Sequence, residues 1–188
     1  MNRHYKTLEL DKILKLLADQ TSIDDAKEMA LSLEPQFELE KVKKLLKQTD
    51  DAVVLSGKYG TPSFGGAKNC ANALRRAEAG GCLSTGELLQ IAETLRIIRS
   101  VKEWHSKFAS TETTLDGYFS GLVSNKFLEE KITNAIISED EISDKASSTL
   151  ADIRRKIRTA SSKAREVLDK IIHSTQYLKS VSYTHLRA

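Results

Sequence analysis

The residues most suggestive of chemistry lie between Tyr59 and Ile91, in "YGTPSFGGAKNCANALRRAEAGGCLSTGELLQI". This stretch holds six of the chain's nine glycines and one of its two prolines. Glycine-rich loops bind nucleotide phosphates when their amides encircle the anion, a lysine follows to neutralise it, and a hydroxyl reaches the magnesium. Gly60-Thr-Pro-Ser-Phe-Gly65 has the first spacing, but Gly66 and Ala67 stand where Lys and Ser or Thr are required. No β-strand pattern precedes the loop, and no GxGxxG fingerprint is present. The stretch reads instead as a connection between helices, with glycines that allow tight turns.

Other chemistries find less support. His4, His105, His173 and His185 have no carboxylate or cysteine at ligand spacing. His105 follows Trp104 near a predicted helix end, where the helix dipole favours it. Cys70 and Cys82 form no CxxC pair, which removes the usual zinc spacing and fits a reducing compartment. Glu139, Asp140, Glu141 and Asp144 lack the alternating ligands and central glycine of a calcium loop and read as a solvated turn. No nucleophile elbow or triad signature is visible. A basic stripe of Arg154, Arg155, Lys156, Arg158 and Lys163 is the one feature with a binding chemistry, since such a face can sit against phosphates. No aromatic residues interleave with it, so base stacking is not indicated. Solvated faces beside a coiled-coil seam are the plainer reading of the same residues.

The elements that must position these residues are helical. Leu, Lys, Ala, Glu and Ile dominate, prolines are scarce, and the net charge is only +3. No apolar run approaches the roughly 20 residues of a membrane span, and the amino terminus has no signal core, so a soluble cytoplasmic protein is expected. Leu10, Ile13, Leu14 and Leu17 mark a first helix with Thr7 or Asp11 as cap. Ile23, Ala26, Ala30 and Leu33 mark a second, ended by Pro35. Leu39, Val42, Leu45, Leu46, Val53 and Val54 mark a third. Residues 69–79 predict a short helix with Ala73, Leu74 and Ala77 inward, stopped by Gly80 and Gly81. Ser84 and Glu87 have capping-box spacing ahead of a long helix striped by Leu88, Ile91, Leu95, Ile98 and Val101. A helix over 127–137 and a turn or small hairpin through "SEDEISDKAS" follow.

From Leu150 the apolar or small positions are Leu150, Ile153, Ile157, Ala160, Ala164, Val167, Ile171, Ser174 and Leu178, at alternating steps of three and four. That is a heptad seam over four repeats. Residues 150–180 carry eight basic side chains against three acidic ones. Neither Gly nor Pro occurs after Lys145, which predicts one long helix.

Several separated phrases together resemble the amino-terminal region of the MutS-two family, bacterial paralogues of the MutS mismatch-repair ATPase. They are "TPSFGG", then "ALRRAEAGGCLSTGELLQIAETLR", with "KTLELDKILKLLADQT" before and "LADIRRKIRTASSKAREVLDKII" after. Pro62, Phe64, Gly65, Gly66, Arg76, Ala77, Gly80, Gly81, Leu83, Glu87 and Leu88 match the family's Pro-x-Phe-Gly-Gly turn and its "RA-x-x-GG-x-L" phrase. The resemblance implies a helical core and lever region. In full-length members it is joined to a clamp, an ATPase that uses ATP and magnesium, and a carboxy-terminal Smr nuclease domain. It also implies DNA or ribosome partners, with roles in suppressing recombination and rescuing collided ribosomes, and a homodimer formed through the ATPase.

These 188 residues contain no Walker A, ABC or Smr motif. No catalytic, cofactor or metal residue is therefore carried over, and enzyme activity and dimerisation are expected only of the full-length protein. The expectation is an all-α chain: a small helical bundle over 1–144 with Phe64 packed inward, a long projecting lever or coiled-coil helix over 145–180 that frays past Ala164, and a foreign tail over 181–188. The expected role is mechanical. A stand-alone helical adaptor that binds a partner helix through the heptad seam is the alternative.

Overall fold

The computed structural model describes residues 3–108 and 111–174, and the expected tail, Leu178 and His185 lie outside that range. The chain divides into two compact units, Met1–Glu141 and Ile142–Ala188. It is all-α apart from five residues of strand.

In the first unit, α1 (Arg3–Thr7) leads into α2 (Leu10–Asp19), which packs on α3 (Asp24–Leu31). Neither Thr7 nor Asp11 caps α2. The cap position is Glu9, in the left-handed region at φ 57° with no side-chain cap bond, because the turn after α1 demands that conformation. Helix α3 stops four residues before Pro35, so Leu33 falls outside it and is exposed. Helix α4 (Leu39–Tyr59) buries Leu55 rather than Val53 or Val54, and Leu39, Leu45 and Leu46 are also exposed. Its apolar stripe is therefore largely uncovered, and burial is concentrated near its carboxyl end.

Helix α5 (Ala71–Glu78) turns Ala73 and Ala77 partly inward but leaves Leu74 exposed. Helix α6 (Thr85–Ser106) is the spine of the unit. Its cap is the expected box: the Ser84 hydroxyl accepts from the Glu87 amide at 3.2 Å, and the Glu87 carboxylate accepts from the Ser84 amide at 2.8 Å. The helix buries Ile91, Ala92, Ile97 and Val101. Ile97 is an addition to the predicted stripe, on which Ile98 is only half-buried.

After α7 (Asp116–Ser120), α8 (Lys126–Ala135) lies along α6. Ile132 and Ile136 close on Ile91 and Ala92, with Cys70, Leu83, Leu88, Leu89 and Leu95 around them. The helix expected to reach residue 137 ends two residues sooner, where β-branched Ile136 and Ile137 start β1 (Ile136–Ser138), which pairs with β2 (Glu141–Ile142).

Two polar clamps reinforce this packing. Glu129 is only 7% exposed, and the Arg99 guanidinium meets both its oxygens, at 2.8 and 3.1 Å, between α6 and α8. The arginine holds the Glu129 carboxyl below its ordinary range. Five residues further along α6, the Trp104 indole N–H donates to the Gly60 carbonyl at 2.8 Å. Phe108, 1% exposed, lies among Tyr59, Trp104, His105 and Phe119 with ring centroids 4.7 to 6.2 Å away. His105 stacks on Phe119 and approaches Asp116 at 3.6 Å, a tertiary placement beyond the predicted helix-end role.

Replacing Arg99 by Met leaves the buried Glu129 carboxylate without its partner, so the variant is expected to unfold at lower urea than the wild type. Because the folded Glu129 pKa is depressed, its ion-pair contribution is complete above its unfolded value near 4.5 and lost as pH falls through the lowered folded value. The gap between the two proteins should therefore narrow below pH 4.5. Urea titrations at pH 7 and in the acid range check both points; equal midpoints at pH 7 would remove the clamp.

Candidate functional site

The glycine-rich stretch is a joint. Helix α4, not a strand, leads into it. The Ala67 amide closes a turn onto the Phe64 carbonyl at 3.2 Å, with Gly66 at φ +92°. The Lys68 amide and carbonyl both meet the Thr94 hydroxyl of α6, at 3.3 and 3.4 Å. Asn69 donates to Asp25 of α3 at 2.7 Å and accepts from the Ala71 amide at the start of α5. One loop thus ties three helices together, with its polar groups directed at protein partners.

Phe64 is not packed inward as expected. It is 42% exposed and forms one wall of an apolar groove with Pro62, Gly65, Ile23 and Ala26. The turn that Gly66 makes carries the ring to the rim of this groove rather than into the core.

The second half of the motif is an interlock between α5 and α6. Gly80, at φ +84°, reverses the chain after α5, and the Gly81 amide donates to the Arg76 carbonyl at 2.8 Å. A Cβ at Gly81 would lie 2.8 Å from the Arg76 Cγ and 2.9 Å from its carbonyl oxygen, so only glycine fits. The Arg76 guanidinium pairs with the Glu87 carboxylate, the group that caps α6. The Ser84 amide and Arg76 together hold the Glu87 carboxyl below its usual value. The sequence showed the capping box but not its third member, since Arg76 stands eleven residues from Glu87. Equally hidden was the Thr85 hydroxyl, which donates to the Glu139 carbonyl at 2.5 Å and seats the hairpin turn on α6.

In the second unit, a single 3₁₀ turn (Asp144–Ala146) precedes α9 (Ser148–Ile172), capped by the Ser147 hydroxyl, which accepts from the Leu150 amide. At 1.5 Å per residue, its 25 residues run about 37 Å, and the helix extends eight residues past Ala164.

The basic stripe divides by helical angle. Arg154 donates to the Ile142 carbonyl and to Asp144, both at 2.7 Å, and Arg158 lies 3.5 Å from the same carboxylate. These two guanidiniums hold the Asp144 carboxyl below its ordinary range. Arg155 pairs with Asp152 at 2.9 Å. Arg155, Lys156 and Lys163 line a shallow groove with Thr159 and Ala160, and neither Lys156 nor Lys163 has an ion-pair partner among the described residues. The five cations therefore do not form one free face.

Between these edges runs the heptad seam. Ile157 is 59% and Val167 55% exposed, and Ile153 and Ile171 are also exposed, as is Leu168 beside the seam. Among the described residues no group of three or more His, Cys, Asp or Glu could hold a metal ion, and no helix is long and apolar enough to cross a membrane.

These features define a helical scaffold with a stapled joint and one long amphipathic helix. The chain is similar to part of the endonuclease MutS2 of Acetivibrio thermocellus, with 39% identity over 180 residues. It is likewise similar to the endonucleases MutS2 of Ruminiclostridium cellulolyticum, at 38% over 179 residues, and Clostridium perfringens strain 13, at 36% over 186. The matches cover 94 to 97% of this chain but only 23 to 24% of each relative, so the chain spans about a quarter of their length. No protein-family model matches it.

The interlock predicts opposite outcomes for two glycines. Gly81→Ala forces Arg76 aside and is expected to cost about 1–3 kcal/mol. Gly57→Ala, near the end of α4 with open space at its Cβ, should stabilise by about 0.5 kcal/mol. Urea unfolding of both variants checks the pair; a neutral Gly81→Ala would contradict the interlock.

Proposed function

We propose that this chain is a segment of a MutS2-like, nucleic-acid-associated protein and that its role there is mechanical. The observation that carries the reading is similarity to endonucleases MutS2 along almost the whole chain, at about a quarter of their length. In this reading the segment is the amino-terminal core and lever region. Catalysis, ATP with magnesium, and homodimerisation belong to domains beyond these residues. The full protein acts in the cytoplasm on DNA or on ribosomes, in suppression of recombination or rescue of collided ribosomes. The segment transmits nucleotide-driven motion to a clamp.

The geometry supports such a role. The first unit is cross-tied by Arg99–Glu129, Arg76–Glu87 and Trp104–Gly60, which favours movement as a body over internal deformation. Helix α9 has no internal Gly or Pro, the residues at which helices kink. Direct phosphate contact by all five cations fits less well, because Arg154 and Arg158 would have to leave Asp144.

The exposed seam specifically favours the second reading, a helical adaptor whose seam receives a partner helix.

Proline at Ala164 breaks α9 at its middle. In the full-length protein, Ala164→Pro is expected to keep ATP turnover without nucleic acid within about twofold, as a residue remote from the chemistry should, while losing most of the ATP-dependent change in nucleic-acid affinity. Filter binding with and without ATP checks this. Unchanged ATP-dependent affinity would contradict a lever role.

A further inference from the structure

The edges of the α9 seam differ. In heptad terms Leu150, Ile157, Ala164 and Ile171 occupy the first seam position, and Ile153, Ala160 and Val167 the second. One flank carries Arg154, Ser161 and Leu168, and its only cation is bound to Asp144. The other flank carries Lys156, Lys163 and Lys170, one per heptad. All three lysines are exposed, and among the described residues none makes an ion pair. The acidic residues nearest this flank do not neutralise it, since Asp152 is engaged by Arg155 and Glu166 pairs with neither Lys163 nor Lys170. A largely exposed apolar stripe about 32 Å long, from Leu150 to Ile171, thus runs beside a ladder of free ammonium groups spaced about 10.5 Å apart.

We propose that this seam is the docking surface for an acidic amphipathic helix, one that repeats Asp or Glu every seventh residue along the edge of its own apolar stripe. Flanking charges of this kind choose coiled-coil partners and their orientation. A second copy of this chain is the wrong occupant. In a parallel pair, Lys156 and Lys163 would face Ser161 and Leu168 of the other copy; in an antiparallel pair, lysine would face lysine. Neither arrangement supplies a counter-charge. Ala160 and Ala164 also narrow the middle of the seam, so a partner with large apolar side chains there fills space that a second pair of alanines leaves empty. A nucleic-acid backbone would neutralise the lysines but leave Ile153, Ile157, Val167 and Ile171 in water. The proposal deepens the helix-docking reading above. It rests on α9 being an exposed helical rod and needs no nucleotide-driven motion.

The test uses the full 188-residue chain and two designed four-heptad peptides with the same leucine seam, one flanked by Glu and one by Lys. Fluorescence anisotropy is expected to show the Glu peptide binding at least about tenfold more tightly, since the three flank pairs attract one peptide and repel the other. The triple variant Lys156→Glu, Lys163→Glu, Lys170→Glu should reverse that order with an unchanged helical circular-dichroism signal. The corresponding Lys→Gln set should lose most of the discrimination and still bind through the seam, which separates a charge effect from a folding defect. An order that ignores the substitutions overturns the proposal, as does failure of both peptides to bind. Self-association of the chain through the seam also overturns it, in favour of a second copy. Tighter binding of a 25-base-pair duplex than of the Glu peptide by the wild type at about 150 mM salt, lost in the Lys→Gln set that still binds both peptides, assigns the ladder to nucleic acid instead. Because no arm involves ATP, failure here leaves the lever test separate.

Discussion

The Arg99 guanidinium and the Glu129 carboxylate hold each other across α6 and α8, and the geometry of the first unit depends on the helix that carries that arginine. Every long-range tie along α6 uses a different residue of it. Thr85 holds the hairpin turn, Glu87 holds Arg76 of α5, Thr94 holds the loop before α5, Arg99 holds α8, and Trp104 holds the end of α4. A helix with only one apolar face can bind neighbours on several sides if polar side chains make the remaining contacts. The buried face supplies most of the burial energy, and the polar ties fix which neighbour sits where. The glycines of the loop permit this arrangement without taking part in any chemistry.

Much of the helical content was legible from periodicity and punctuation, because capping and turn chemistry are local. Ser84 and Glu87 announce a capping box three residues apart, and Gly80 announces a helix stop, with no need of tertiary context. Burial was less legible. Val53 and Val54 have the apolar character of a core, yet Leu55 is the residue inside: the carboxyl end of α4 meets the Trp104 and Phe108 cluster, while its middle is tied to Thr114 by the polar side chain of Asp51. Phe64 looked like a core aromatic and lies at a groove rim for a similar reason: the turn that places it depends on contacts thirty residues away at Thr94. Arg76, Arg99 and Trp104 find partners eleven to forty-four residues distant, and no local pattern encodes such pairs.

The long helix presents the opposite case. Its heptad spacing was plain from residue types, and the described part of α9 keeps it without interruption. What spacing could not show is the asymmetry of its flanks. Arg154 and Arg158 read as members of one basic stripe until Asp144, ten residues before Arg154, takes both. The remaining lysines then stand apart as a separate edge. Charge tallied by residue order forms a single basic stripe; charge tallied after pairing leaves a neutralised edge, an apolar seam and a free edge. That division makes α9 better suited to receiving another helix than to lying against a phosphate backbone.

A lever and a docking seam both require α9 to be one stiff rod, since neither works if the helix breaks between Leu150 and Ile171. Pulsed electron-electron distance measurement tests this directly, with Cys70 and Cys82 replaced by Ser and spin labels at Thr149 and Asp169. Twenty residues of unbroken helix place the labelled backbones about 30 Å apart, and a narrow distribution near that distance is the expected result. A broad distribution, or one centred far from that distance, would mean that the seam is not continuous, and both the lever and the docking surface would fall with it.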